Sequence, residues 1–313
     1  MSYTRVRVAP EARSTSLASD GAAILPHVRV PFHLLDVFAE APFAGNQLCV
    51  VPSVPAGLDD RTMAALAREI GFSETMFVTA IRDGGYDLRI FTPDNELPFA
   101  GHPTIGTAFL LGSQGLVPTS LVQTSAAGDV PVEIDLGAGR ATMRQLPPVF
   151  GEPVHDRSAV AAGAALDATD LVQGLPVVAV SAGIPHLMVP VRDDTALRRA
   201  RRIPDACTSA CEAAGAESLY LFAIRGDGDV MARMFDRFDT IGEDPATGSA
   251  AGPLGAYLAR HKLAGLPGAA VVAQGEMVGR PSFLHIDVAG AGNSWELRVG
   301  GGVRLMGDGE FSL

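Results

Sequence analysis

Phe91-Thr92-Pro93-Asp94-Asn95-Glu96-Leu97-Pro98-Phe99-Ala100-Gly101-His102-Pro103-Thr104-Ile105-Gly106 returns in altered form further along the chain. The second copy is Phe235-Asp236-Arg237-Phe238-Asp239-Thr240-Ile241-Gly242-Glu243-Asp244-Pro245-Ala246-Thr247-Gly248-Ser249-Ala250-Ala251. Each runs from a strand-like Arg-x-Phe into polar residues that open a helix of small residues. Arg89 to Ala100 and Arg233 to Asp244 both span 11 positions. Upstream, Ser73–Arg82 resembles Glu217–Arg225. The chain therefore reads as one domain written twice, with two helix N-termini facing a shared cleft. Unpaired N–H groups and partial positive charge at such termini suit a carboxylate.

A length of 313 residues is enough for two domains with separate cores. The expected division is a flexible extension over 1–28, a first domain over 29–145 and a second over 146–313, with the last strands able to cross back. Pro147-Pro148 and Gly151-Glu152-Pro153 read as the linker. The net charge of −11 argues against nucleic acid or an anionic membrane as the main partner. No run of 18 apolar residues spans a membrane, and Met1–Leu25 lacks the apolar core of a secretory signal. Three cysteines, Cys49, Cys207 and Cys211, fit a reducing compartment, so a cytoplasmic location is expected. The cysteines read as packing residues, and the histidines and acids are too scattered for a metal site. The only lysine, Lys262, falls at an expected helix C-terminus, which leaves no residue for pyridoxal chemistry.

Asp59 is expected to cap a helix over Asp60–Ile70 that Gly71 ends, with Met63, Leu66, Ala67 and Ile70 on one face. Asp83-Gly84-Gly85 marks a hairpin. The stretch Pro103–Leu111 is almost wholly apolar and reads as a helix buried on all sides. Asp244 is expected to open the matching helix, ending near Arg260. Strands follow near 271–278, 282–289 and 295–306. Strands wrapped around a buried helix, twice over, fit this pattern better than alternating strands and helices.

Glu74 stands at the head of an apolar strand among Phe72, Met76 and Phe77. Partial burial there would raise its pKa and suit it to give and take a proton, although a solvated strand-end acid has the same sequence. His102 lies at a helix start, where the dipole favours a neutral imidazole. Asp244 sits in the position that mirrors it, as a site acid or an N-cap. Thr247, Gly248 and Ser249 offer N–H and hydroxyl donors. Asn46 and His186 fall in turns that correspond between the halves and could line the same cleft.

These motifs together resemble the PhzF-like phenazine biosynthesis family. The residues that carry the resemblance are Phe43-Ala44-Gly45-Asn46, Phe72-Ser73-Glu74-Thr75, Glu96 through Thr104, Glu243 through Ala251, and Gln274 through Ser282. It covers the chain from about residue 30 onward. It implies a diaminopimelate epimerase-like α+β fold of two pseudo-symmetric domains, each a β-barrel-like sheet around a central helix. It also implies a homodimer and a cofactor-independent isomerase acting on trans-2,3-dihydro-3-hydroxyanthranilate or a similar small carboxylate. Glu74 would then carry a proton between ring carbons on one face. His102, Asp244 and Ser249 would orient the substrate, with Ser73, Gly101 and Gly248 lining the site. Thiol racemases of this fold carry a cysteine at each helix start, where this chain would place Ala100 and Asp244. Two-thiol chemistry is therefore not expected. Gln47 departs from the proline usual in the family. An epimerase or dehydratase using the same Glu74 on another hydroxy or amino acid is the alternative. A non-catalytic ligand-binding protein of this fold is a third reading.

Overall fold

The computed structural model describes residues 28–313 apart from 227, 240, 292 and 293. The extension expected over 1–28 therefore lies almost wholly outside the described residues. In chain order the first half comprises β1 (Arg29–Val37), β2 (Asn46–Val51), α1 (Asp60–Ile70), β3 (Thr75–Arg82), β4 (Gly85–Phe91), β5 (Glu96–Leu97), α2 (Gly101–Ser113), β6 (Ser120–Ser125), β7 (Gly128–Asp135) and β8 (Arg140–Arg144). The second comprises β9 (Val149–Pro153), α3 (Arg157–Gly163), β10 (Val178–Ser181), β11 (Pro185–Pro190), α4 (Asp194–Arg199) and α5 (Pro204–Ala214). It continues through β12 (Ser218–Ile224), β13 (Val230–Asp236), β14 (Glu243–Asp244), α6 (Gly248–Arg260), β15 (Gly268–Gln274), β16 (Ser282–Ala291) and β17 (Ser294–Ser312).

The pairing pattern is written twice. In the first half β1–β2 is antiparallel, β2–β3 parallel, β3–β4 antiparallel and β4–β6 parallel. In the second, β10–β11, β11–β12, β12–β13 and β13–β15 repeat that sequence of directions. Each half curls its sheet around one helix, α2 or α6, so the fold is α+β with two pseudo-symmetric barrel-like units. Ile105, Leu110 and Leu111 of α2 and Leu254, Tyr257 and Leu258 of α6 are all buried. Each contributes roughly 1.5–3 kcal/mol by leaving water. By contrast, α1 buries only Met63, Leu66 and Ala67, held between the Asp59 cap and left-handed Gly71 as expected.

The closing strand of the second half crosses back to the first. In β17, Ser294–Gly300 pairs with β16, Arg298–Gly302 pairs with β8, and Val303–Ser312 continues antiparallel to β1. The segment expected to be a linker is instead β9, which follows β8 and pairs with β10. Pro147-Pro148 interrupts the chain between β8 and β9 without ending the sheet.

Both copies also repeat a local clamp. Arg89 forms a two-pronged pair with Glu96, and Arg233 does so with Glu243. Each guanidinium also lies over the phenylalanine two residues on, at 5.0 Å for Arg89–Phe91 and 4.9 Å for Arg233–Phe235. These pairs fix the true register. Phe91 faces Glu96 as Phe235 faces Glu243, so Leu97 matches Asp244. The second copy is thus three residues longer in the loop before β14. The equal Arg-to-Ala100 and Arg-to-Asp244 spacing is a coincidence of that insertion.

Candidate active site

Asp244 is not a helix cap. It ends β14, and α6 starts at Gly248 after Thr247. The partner of Ala100 across the pseudo-symmetry is therefore Thr247, and the partner of His102 is Ser249. Neither helix start holds a cysteine, and Cys49, Cys207 and Cys211 are buried elsewhere.

The two helix N-termini touch. A Cβ on Gly101 would lie 2.4 Å from Ser249 N, and one on Gly248 would lie 3.1 Å from His102 N. Only glycine allows backbones this close, so both glycines serve the meeting of the halves.

Glu74 follows α1 by a short link and precedes β3, which runs parallel to β2. That pairing places its carboxyl beside the start of β2 and the head of α2. Its Oε2 lies 3.5 Å from His102 Nε2, and its side chain is 13% exposed. Oε2 has no hydrogen-bond partner among the described residues, nor does the buried Ser73 Oγ next to it. Burial drives the Glu74 pKa up to about 7; the Ser73 hydroxyl opposes this and the Asp236 charge adds to it.

Asn46, the first residue of β2, joins the halves. Its Nδ2 donates to Asp244 Oδ1 at 2.8 Å and to the Ala246 carbonyl at 3.0 Å, and lies 3.2 Å from His102 Nδ1. Two pure acceptors fix which end of the amide is nitrogen, so His102 Nδ1, which faces that NH2 group, is the unprotonated ring nitrogen. His102 Nε2–H then donates to the Gln47 carbonyl at 3.2 Å. Burial lowers the His102 pKa to about 4 despite the nearby Asp244 charge and the Gln47 carbonyl. The imidazole is neutral at physiological pH.

Burial likewise raises Asp244 to about 6. Hydrogen bonds from Thr247 Oγ1, at 2.5 Å, and from Asn46 hold the rise in check. Gln274 Nε2 donates to the Asp244 carbonyl and to Thr247 Oγ1.

His186 is the second residue of β11, and Asn46 opens β2, so both lie on strands and not in the expected turns. The parallel registers make Leu48 the counterpart of His186 and Ser218 the counterpart of Glu74. His186 is buried between two serines, with Nδ1 2.8 Å from Ser218 Oγ and Nε2 3.0 Å from Ser249 Oγ. Burial pushes its pKa down to about 3. Across the pseudo-symmetry, Ser218 thus stands where the first half has Glu74 and Ser249 where it has His102, with His186 bridging the two hydroxyls.

Asn46, Ser73 and Asp244 line a cleft of about 280 Å³, together with Phe72, Ile241 and Arg280. A larger groove of about 580 Å³ runs over the outer face of β15, β16 and β17, lined by Thr142, Val271 and His285 among others. It carries none of the groups above. The cleft lined by Ser73 and Asp244 is therefore the better candidate, although smaller; Glu74 and His102 adjoin these residues and are not themselves among its lining. Sequence reasoning assigned no role to Ser218, Gln274 or Arg280. The last two lay within Gln274–Ser282, a stretch whose glycines and arginine mark a tight polar turn.

Comparison with known proteins identifies the family and the fold. The sequence profile of the family described as phenazine biosynthesis-like protein matches residues 35–306. The trans-2,3-dihydro-3-hydroxyanthranilate isomerase of Pseudomonas aeruginosa is 32% identical over 270 residues, 83% of this chain and 90% of that one. A solved structure from Pseudomonas aeruginosa, named a predicted epimerase, superposes with a TM-score of 0.78 at 36% identity. The match covers 90% of this chain and 99% of the other. A hydroxyproline epimerase from Agrobacterium vitis shares the fold, with a TM-score of 0.62 at 12% identity over 91% and 93% of the two chains.

Proposed function

The chain belongs to the phenazine biosynthesis-like family and is an isomerase; from that premise we propose that it moves a proton within a small carboxylate substrate, with Glu74 as the single acid–base group. The carrying observation is Glu74 Oε2, unpartnered among the described residues and 3.5 Å from a neutral imidazole, next to the cleft-lining Ser73 and against Ser218 at the mirrored position.

In this mechanism the Glu74 carboxylate takes a proton from one substrate carbon and returns it to another on the same face. A carboxyl whose pKa lies near 7 gives and takes protons with comparable ease. His102 and Asp244 hold the polar substituents of the substrate. The meeting helix N-termini at Gly101 and Gly248, with Thr247 and Ser249, receive its carboxylate. Ser73 supplies a hydroxyl beside the base, and His186 orients Ser249. The reaction draws on no cofactor and leaves the substrate mass unchanged.

The substrate in this reading is trans-2,3-dihydro-3-hydroxyanthranilate or a close relative, and the working form is a cytoplasmic homodimer. An epimerase needs a second base on the opposite face, and Ser218 and a weakly basic His186 do not favour that reading. NMR and mass analysis of products test the proposal. An isomer of unchanged mass supports it, whereas loss of water or inversion at one carbon refutes it.

A further inference from the structure

The turn from β15 to β16, Gln274–Pro281, holds both halves of the candidate site at once. At its start Gln274 Nε2 donates to the Asp244 carbonyl at 2.8 Å and to Thr247 Oγ1 at 2.9 Å. Gln274 Oε1 accepts from Thr247 N at 3.3 Å. At its end Arg280 reaches the other half. Nε donates to the Gly45 carbonyl at 2.7 Å, and Nη2 donates to the Ala44 carbonyl at 2.8 Å and to Asp36 Oδ1. The Pro281 carbonyl accepts from Gly45 N at 3.0 Å. Between these ends the turn has no slack against the site. A Cβ on Gly275 would lie 2.5 Å from the Pro245 carbonyl.

Gly45 is followed directly by Asn46, the residue that donates to Asp244 and faces His102 Nδ1. A path of bonded groups therefore runs from Asp244 through Gln274 and Arg280 to Gly45, then through Asn46 back to Asp244 and His102. We propose that Gln274–Pro281 is a bracket that sets the separation of Glu74 and His102 from Asp244 and Thr247, with Arg280 as its positioning residue. The proposal rests on the acid–base reading above and adds to it. Arginine suits the task because its planar fork meets a carboxylate and two carbonyls at fixed angles, which a lysine ammonium cannot do. Arg280 acts through Gly45 and Asn46, so its removal displaces the site without removing a reacting group.

The test compares full-length wild type with Arg280→Ala and Arg280→Lys, on trans-2,3-dihydro-3-hydroxyanthranilate, with and without added guanidinium. The ¹⁵N resonances of His102 are followed in each. In Arg280→Ala, kcat is expected to fall about 10- to 100-fold, the usual effect of an ångström-scale misplacement, with KM near wild type. Guanidinium should restore part of the rate and return the shifted His102 resonances toward wild type, and Arg280→Lys should fall between the two. Wild-type kcat with unmoved His102 resonances in Arg280→Ala overturns the proposal. So does a loss that guanidinium rescues in neither readout, which leaves Arg280 a merely structural role. If wild type does not turn over this compound, the substrate assignment fails, and the His102 resonances with and without guanidinium decide the bracket separately.

Discussion

Glu74 Oε2 lies 3.5 Å from His102 Nε2, and burial moves the two pKa values past each other, Glu74 up to about 7 and His102 down to about 4. The pair is consequently never an ion pair. Between these values both groups are neutral, and above about 7 the carboxylate stands beside a neutral imidazole. Proton abstraction needs that last state.

The pH dependence of turnover follows. kcat/KM should rise with pH to a plateau, with an apparent pKa near 7 that reports Glu74 in the free enzyme. A rate profile over about pH 3–9 checks this. A limb near 4 instead would assign the base to an unperturbed carboxylate.

Stability should show the same group with the opposite preference. A folded pKa raised above the unfolded value means the contribution is fully present below about 4.5 and lost as pH rises through about 7. Glu74→Gln should therefore gain stability over wild type across that window, by roughly 3 kcal/mol at pH 8. His102 works in the reverse sense: its depressed pKa favours the fold above about 6.5, and that contribution is lost as pH falls through about 4. Denaturant unfolding of both proteins at pH 4 and pH 8 measures the difference.

The contact between the helix starts should tolerate no side chain. Gly101→Ala places a methyl 2.4 Å from Ser249 N, which is backbone and cannot rotate away. A loss of about 1–3 kcal/mol is expected from forced overpacking. A larger fractional loss of kcat should accompany it, because His102 follows directly. Thermal unfolding and steady-state rates on the same preparation separate the two effects.

His186→Asn should be milder than any change at Glu74. His186 is too weak a base to take a substrate proton, and its link to Ser249 is one hydrogen bond. The expected loss is about 1 kcal/mol, near fivefold in kcat. The limb near pH 7 should remain, because it belongs to Glu74.

Much of this arrangement is legible in the sequence because its signals are local. The Asp59 cap, Gly71 stop and apolar face of α1 lie within one short window, and the Asp83-Gly84 turn needs only its own residues. The buried helices announce themselves by lacking any polar face. The misread points are those where tertiary pairing decides. Asp244 looks like a cap because equal spacing hides three extra residues before β14, and only the Arg233–Glu243 clamp reveals them. Val149–Pro153 looks like a linker because Gly151, Pro153 and the preceding Pro147-Pro148 outweigh β propensity, yet β10 offers an open edge that pairs with it. The match of Glu74 to Ser218, and the bracket through Gln274 and Arg280, depend on strand register and on contacts more than 200 residues apart.

The most direct test of the central claim is incubation with trans-2,3-dihydro-3-hydroxyanthranilate in D₂O, followed by NMR, for wild type and Glu74→Gln. The account expects wild type to form an isomer with deuterium on a single face of the ring, and Glu74→Gln to be slower by about 10²- to 10⁴-fold. Isomerisation by Glu74→Gln at the wild-type rate would contradict it.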